Sequence, residues 1–283
     1  MKKIIFSTIG VAAVIVSVII FQYVQVSSPI KTGESEYDSA EWIDITNDAN
    51  FIFKAYAKND AYKITNGVKT WDVVKLELDP SKSDMYREIG NMDNSQNAVV
   101  IIPVFTASAY NEPGFYTYYR GECDESCLTI KMAEKFTWNS SVYAIQVFNL
   151  LGYKMLTDID VHENPQILQQ FDKVILLHNE YVTRQEFDAI TSHKNVVYLY
   201  PNAMYAEVTL NDDNTITLVR GHNYPLPEIR NGFDWIHDNS PFEYDHDCAN
   251  MIFSRITNGV MLNCYPENEI TQNPELLKAV KEF

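Results

Sequence analysis

The chain has 283 residues, 46% of them hydrophobic and 13% aromatic, with 22 Lys and Arg against 38 Asp and Glu for a net charge of −16. This profile excludes a disordered chain, a collagen, a coiled coil and a polytopic membrane protein. The acidic excess also sets nucleic acid aside as a partner, because phosphate backbones repel such a surface.

Lys2 and Lys3 precede an apolar run from Ile4 to Phe21, and no further charge occurs before Lys31. About 20 apolar residues span a bilayer as a helix, and basic residues stay on the cytoplasmic side. Residues 1–26 therefore read as a transmembrane signal anchor, with the cell membrane as partner and the bulk of a single-pass chain extracytoplasmic. No A-x-A-like site ends the run and no Cys follows it, which favours the anchor over a cleaved signal peptide or a lipoprotein. Residues 27–50 are polar and acidic without apolar period and read as a tether. Residues 51–283 form the extracytoplasmic α/β domain, with its core at 98–220 and a C-terminal cap at 221–283.

Within that domain Val73 to Leu78 suits a strand, and AVVIIPV at 98–104 a strand buried on both faces. Residues 140–151 follow as a helix ended by Gly152, then YKMLT at 153–157 as a strand. Asn164-Pro165 opens a further helix, KVILL at 173–177 is a buried strand, and Thr183 to Glu186 is a capping box for the next helix. NVVYLY at 195–200 is the last strand of the series, before a hairpin of AEVTL and TITLVRG around Asn211 to Asn214. Residues 222–270 are irregular, and Asn273-Pro274 caps a final helix. Short apolar strands alternating with amphipathic helices predict an α/β fold with a doubly wound, mostly parallel sheet.

The four Cys form an even set in an oxidising compartment. Three pairings exist. Cys123 with Cys127 and Cys248 with Cys264 needs the least chain closure, and the wide spacing of the second pair disfavours a four-Cys zinc site.

Ligands of open α/β sheets bind beyond the carboxyl ends of the strands. The loops there are FTASAYNEPGFYTYYRG after residue 104, His178 to Tyr181, and Pro201 to Tyr205. The runs LLGYKMLTDIDVHENPQILQQFDKVILLHNEYVT, YLYPNAMYAEV and AYNEPGFYTYY resemble the N,N-dimethylformamidase large (beta) subunit family, in its class I glutamine amidotransferase-like domain. That family carries G-H-D-E-Y-W, G-N-A-x-Y and A-Y-N-x-x-G-G-x-S-L-Y in the corresponding places, and the likeness covers roughly residues 98–210. It implies hydrolysis of a small amide C–N bond at a mononuclear iron held by two tyrosinates and a glutamate. Carried over, Tyr110, Tyr119 and Glu180 match the metal ligands, and His178 and Asn202 the catalytic positions. Leu177, Phe115 and Pro201 stand where the family has Gly, and Val182 where it has Trp.

Hard anionic oxygens suit a highly charged ion, which would polarise an amide carbonyl, with His178 exchanging protons. The HNEY elbow holds no thiol, so Cys-dependent acyl transfer is excluded there. Plainer roles stay open beside these: capping or mutual pairing for His178 and Glu180, aromatic packing for the tyrosines, a turn for Asn202. Glu243 to Asp247 reads as a solvated acidic loop pinned by a disulfide rather than as a metal site. A non-catalytic cell-envelope domain binding a ligand, a protein partner or a second copy would use the same scaffold.

Overall fold

The computed structural model describes residues 41–46, 51–65, 68–71, 73–221 and 223–283. The anchor assigned to residues 1–26 lies outside them, as does most of the tether. Among the described residues no helix is long and apolar enough to cross a membrane.

The strands among the described residues are, in chain order, β1 (Trp42–Asp44), β2 (Lys54–Lys58), β3 (Tyr62–Thr65), β4 (Val68–Trp71), β5 (Val74–Glu77), β6 (Ala98–Ile102), β7 (Thr129–Lys131), β8 (Lys154–Thr157), β9 (Lys173–Leu176), β10 (Tyr181–Val182), β11 (Val196–Tyr198), β12 (Ala206–Leu210), β13 (Thr215–Arg220), β14 (Phe253–Ile256) and β15 (Gly259–Leu262). The helices are α1 (Ser83–Ile89), α2 (Val104–Ala109), α3 (Phe115–Tyr119), α4 (Val142–Leu150), α5 (Asp158–Glu163), α6 (Arg184–Ser192) and α7 (Pro274–Glu282).

The fold is mixed α/β, with four sheets among the described residues rather than one. The sheet that positions the loops of interest runs β14-β15-β11-β9-β6-β8. All its neighbours are parallel except the edge strand β14. Its centre is made by the unbroken Val and Ile runs: every residue of β6, β9 and β11 is buried. Val99, Ile101, Val174, Leu176, Val196 and Tyr198 form one core with Ile190 of α6 and Val161 of α5. The expected hairpin is β12 and β13, extended by β10 and β7 into a separate four-stranded sheet. A second core lies beneath that sheet and includes Phe105, Phe115 and Tyr181.

Several expectations are corrected. Trp42–Asp44, inside the stretch read as tether, pairs with β2. Pro165–Gln170 is a 3-10 segment, and the Asn164 side chain makes no capping bond to it. The cap region is not wholly irregular, since β15 joins the main sheet beside β11. That close pairing requires glycine: a Cβ on Gly259 would lie 1.8 Å from the Val196 carbonyl oxygen. The helix α5 went unforeseen because six residues carry too little periodicity, although Thr157 and Asp160 cap each other reciprocally at its start. At the other end of the series, Gly152 takes the left-handed conformation expected after α4, with φ +81°. Both disulfides form in the local pairing, Cys123–Cys127 and Cys248–Cys264.

Candidate functional site

Because β8, β6, β9, β11 and β15 are parallel, the segments that leave their carboxyl ends meet along one edge. Tyr110 ends α2, directly after β6, and Tyr116 lies on α3 just beyond. The tight turn between them is set by Gly114, where a Cβ would lie 2.3 Å from the Asn111 carbonyl oxygen. His178 to Glu180 follow β9, and Thr106 of α2 fixes that backbone by accepting from the N–H groups of Glu180 (2.9 Å) and Tyr181 (3.2 Å). One short helix therefore carries both a tyrosine of the site and the anchor of its glutamate.

The side chains converge on Glu180, which is buried. The Tyr110 hydroxyl donates to its Oε2 at 3.1 Å. The Tyr116 hydroxyl lies 3.2 and 3.3 Å from the two carboxyl oxygens and 3.0 Å from the Tyr110 hydroxyl, with the two rings stacked at 4.5 Å. His178 Nε2 is 3.9 Å from Glu180 Oε2, too far for a hydrogen bond, and has no partner among the described residues. On the other side of the ring, Nδ1 meets the Asn139 carbonyl at 2.6 Å. A carbonyl only accepts, so Nδ1 carries the proton and Nε2 presents its lone pair toward the carboxylate. The Tyr265 hydroxyl, 3.3 Å from Nδ1, donates to the Trp138 carbonyl.

Burial dominates the electrostatics. It pushes the Glu180 carboxyl up to about 8, with the charge of Glu243 adding to the shift and the tyrosine hydroxyls opposing it. The His178 imidazole is pushed down to about 4 by burial, against the Asn139 hydrogen bond. Tyr110 and Tyr116 are raised far above the ordinary phenol range by burial and by the Glu180 charge. Without a cation the cluster is held neutral, and a bound cation would favour its ionised form.

The structure thus brings together Tyr110, His178 and Glu180, but the second hydroxyl on Glu180 belongs to Tyr116. Tyr119 lies one ring further out, edge-on to Tyr116 at 5.7 Å, with its hydroxyl beside that of Tyr181. Asn202 forms a turn after β11 with φ +55°, and its buried amide oxygen lacks a partner among the described residues. Phe115 and Leu177, which replace family glycines, are fully buried, Phe115 with its ring 5.3 Å from that of Tyr181.

Three further residues escaped sequence reasoning. Asp158, at the carboxyl end of β8, accepts from Phe105 N–H of α2 at 2.8 Å and from the Asn179 amide, bracing both halves of the site. Glu186 lies beside it, so two buried carboxyls stand next to each other. Glu267, after β15, accepts from Tyr143 N–H at the start of α4 at 2.6 Å and from the Tyr200 hydroxyl. The only advance signal for Glu186 was its place in the capping box, and its side chain turns to Asp158 instead.

Oxygens bound about 2.0–2.2 Å from one ion stand roughly 3 Å from each other. The spacings of 3.0 to 3.3 Å among Tyr110, Tyr116 and Glu180, beside the partnerless His178 Nε2, fit a metal held by hard oxygen donors. No group of three or more His, Cys, Asp and Glu side chains among the described residues is placed to hold a metal, so this fit depends on the phenols. A cavity of about 440 Å³ between Pro165 and Lys194 lies at the opposite, amino edge of β9 and β11.

Comparison with known proteins agrees with the motif reading. A family model described as N,N-dimethylformamidase beta subunit-like, C-terminal, matches residues 73–225, which include Tyr110, Tyr116, His178, Glu180 and Asn202. No curated protein matches the chain.

Proposed function

We propose, from the premise that the chain belongs to the N,N-dimethylformamidase beta subunit-like family, that it hydrolyses the C–N bond of a small amide at a mononuclear iron held by Tyr110, Tyr116 and Glu180. The observation that carries this reading is the set of three mutually hydrogen-bonded oxygens, 3.0 to 3.3 Å apart, facing an unpartnered imidazole nitrogen. Iron bound there would supply Lewis acidity to an amide carbonyl.

The protein's own groups do the rest. Tyr110, Tyr116 and Glu180 would hold the ion as two phenolates and a carboxylate. His178, with Nδ1 committed to Asn139, takes a proton from water at Nε2 and returns it to the departing amine. The buried amide oxygen of Asn202 is left for a substrate N–H donor. Phe115 and Leu177 exclude water from beneath the cluster. We read the six-stranded sheet as the doubly wound, amidotransferase-like layer of the family. The chain is proposed as membrane-anchored and extracytoplasmic, in keeping with its two disulfides.

The test is iron content and the visible spectrum of the full chain beside Tyr116→Phe and Glu180→Gln, with amine release from short amides as the activity readout. One iron per chain, a tyrosinate charge-transfer band lost in the variants, and amide turnover are expected. A folded chain that takes up no iron and releases no amine would overturn the reading in favour of a non-catalytic envelope domain.

A further inference from the structure

Resting on the reading of His178 as the group that moves protons, we propose that Tyr265 is its positioning residue, lent to the site by the C-terminal cap. The family model matches residues 73–225, so Tyr265 lies beyond it and no family motif assigns it a role. The need for such a residue follows from the turn that orients the imidazole. Asn139, whose carbonyl accepts from Nδ1, is exposed and sits in the three-residue 3-10 turn Trp138–Ser140. Ser141 ends that turn in the left-handed region at φ +62°, which a residue with a Cβ keeps only when its surroundings impose it. The Ser141 Oγ accepts from the His178 N–H at 3.1 Å. Within the turn Thr137 N–H donates to Ser140 Oγ at 2.8 Å, which closes the turn but does not anchor it.

Tyr265 supplies the anchor. It is buried, and its hydroxyl oxygen lies 3.1 Å from the Trp138 carbonyl and 3.3 Å from His178 Nδ1. One hydroxyl thus meets both the turn and the edge of the ring that the turn orients. The Tyr265 ring stacks on Trp138 at 4.6 Å and stands edge-on to the imidazole at 5.1 Å. From the same segment Asn268 Oδ1 accepts from Trp138 Nε1 at 3.1 Å. Tyr265 is itself fixed, since its N–H donates to the Asp245 carbonyl at 2.8 Å and Cys264 before it is bonded to Cys248. Because the hydroxyl proton is committed to Trp138, the oxygen turns a lone pair to Nδ1. Two acceptors, this oxygen and the Asn139 carbonyl, therefore hold the proton at Nδ1 and leave Nε2 bare toward Glu180. Without the hydroxyl one acceptor is lost, and the other sits on a turn released on that side.

The experiment compares the parent chain with Tyr265→Phe, which keeps the ring and its stacking, and with Asn268→Ala, which frees the same turn from its indole side. Nitrogen-15 NMR of the imidazoles in the metal-free full chain reports the tautomer, the His178 signals being identified by their loss in His178→Asn. The parent should show His178 protonated at Nδ1 and bare at Nε2. Tyr265→Phe should show a mixture of both tautomers, and Asn268→Ala the same change in smaller degree. On the iron-loaded chain Tyr265→Phe should keep its iron and its KM while kcat falls roughly tenfold or more, within what a positioned acid–base group contributes. Parent-like imidazole signals in Tyr265→Phe overturn the proposal, as does a fall in kcat that comes with lost iron. Should that variant fail to fold, parent-like signals in Asn268→Ala overturn it instead. A shifted tautomer with unchanged kcat leaves the positioning standing and shows that His178 does not carry the proton. Absence of amide turnover in every chain sinks the hydrolase reading, and the imidazole signals then decide the positioning alone.

Discussion

At the residue scale the site depends on carboxyls with different partners. Glu180 is met by phenols, Glu267 caps a helix, and Asp158 accepts from a backbone N–H and an amide. Asp158 and Glu186 are adjacent and buried, so both cannot ionise; each Asp158 oxygen already accepts a hydrogen bond, which leaves the proton on Glu186, whose carboxyl burial raises well above the usual range. Asp158 is then the acceptor that joins α2 to the His178–Glu180 segment. Asp158→Asn places an amide NH2 against one of these two donors and should cost about 1–3 kcal/mol of stability, read from denaturant midpoints. Glu186→Gln imitates the protonated acid and should cost clearly less. Equal losses in the two variants would show that the proton is not so placed.

At the element scale, what was legible in the sequence is what local chemistry determines. The Val and Ile runs of β6, β9 and β11, the Asn273 cap of α7 and the disulfide partners were read directly. The family resemblance pointed to Tyr110, His178, Glu180 and Tyr119; the fold brings the first three together, and Tyr116 rather than Tyr119 reaches Glu180. Tyr116 and Tyr119 are three residues apart on α3 and share a face. Which of them reaches Glu180 depends on how the turn at Gly114 aims that helix, and this is a tertiary fact. The Asp158–Glu186 contact and the docking of β15 on β11 are long-range in the same sense. Gly114→Ala tests the role of the turn: its Cβ would meet the Asn111 carbonyl oxygen at 2.3 Å and force α3 outward. A loss of about 1–3 kcal/mol in unfolding free energy is expected, with weakened iron uptake. Full stability and full iron content in this variant would mean that α3 adjusts without moving Tyr116.

At the scale of the whole molecule, gathering the ends of five strands at one edge buries several acids in a chain of net charge −16. Burial pushes Glu180 and Glu267 up to about 8 and Glu186 well above the usual carboxylate range. Exposed acids such as Asp79 and Asp124 go the other way, held below the usual range by serine hydroxyls and N–H groups. A carboxyl raised in the fold keeps its proton there while the unfolded chain, titrating near 4.3, has released its own. Its stabilisation is therefore present in mild acid and is lost as pH rises through the folded pKa. The exposed acids lose theirs only as pH falls below about 4. The metal-free chain should thus be most stable near pH 5 and soften steadily toward pH 8, the reverse of a fold limited by acid-labile ion pairs. Glu267 tests this without touching the proposed metal ligands. Glu267→Gln keeps an acceptor for the start of α4 but cannot ionise, so it should flatten the decline between pH 5 and 8. The difference should be on the order of a few kcal/mol, or several degrees in Tm. Thermal unfolding of both chains across that range decides it, and parallel curves would show that Glu267 is ionised in the fold throughout.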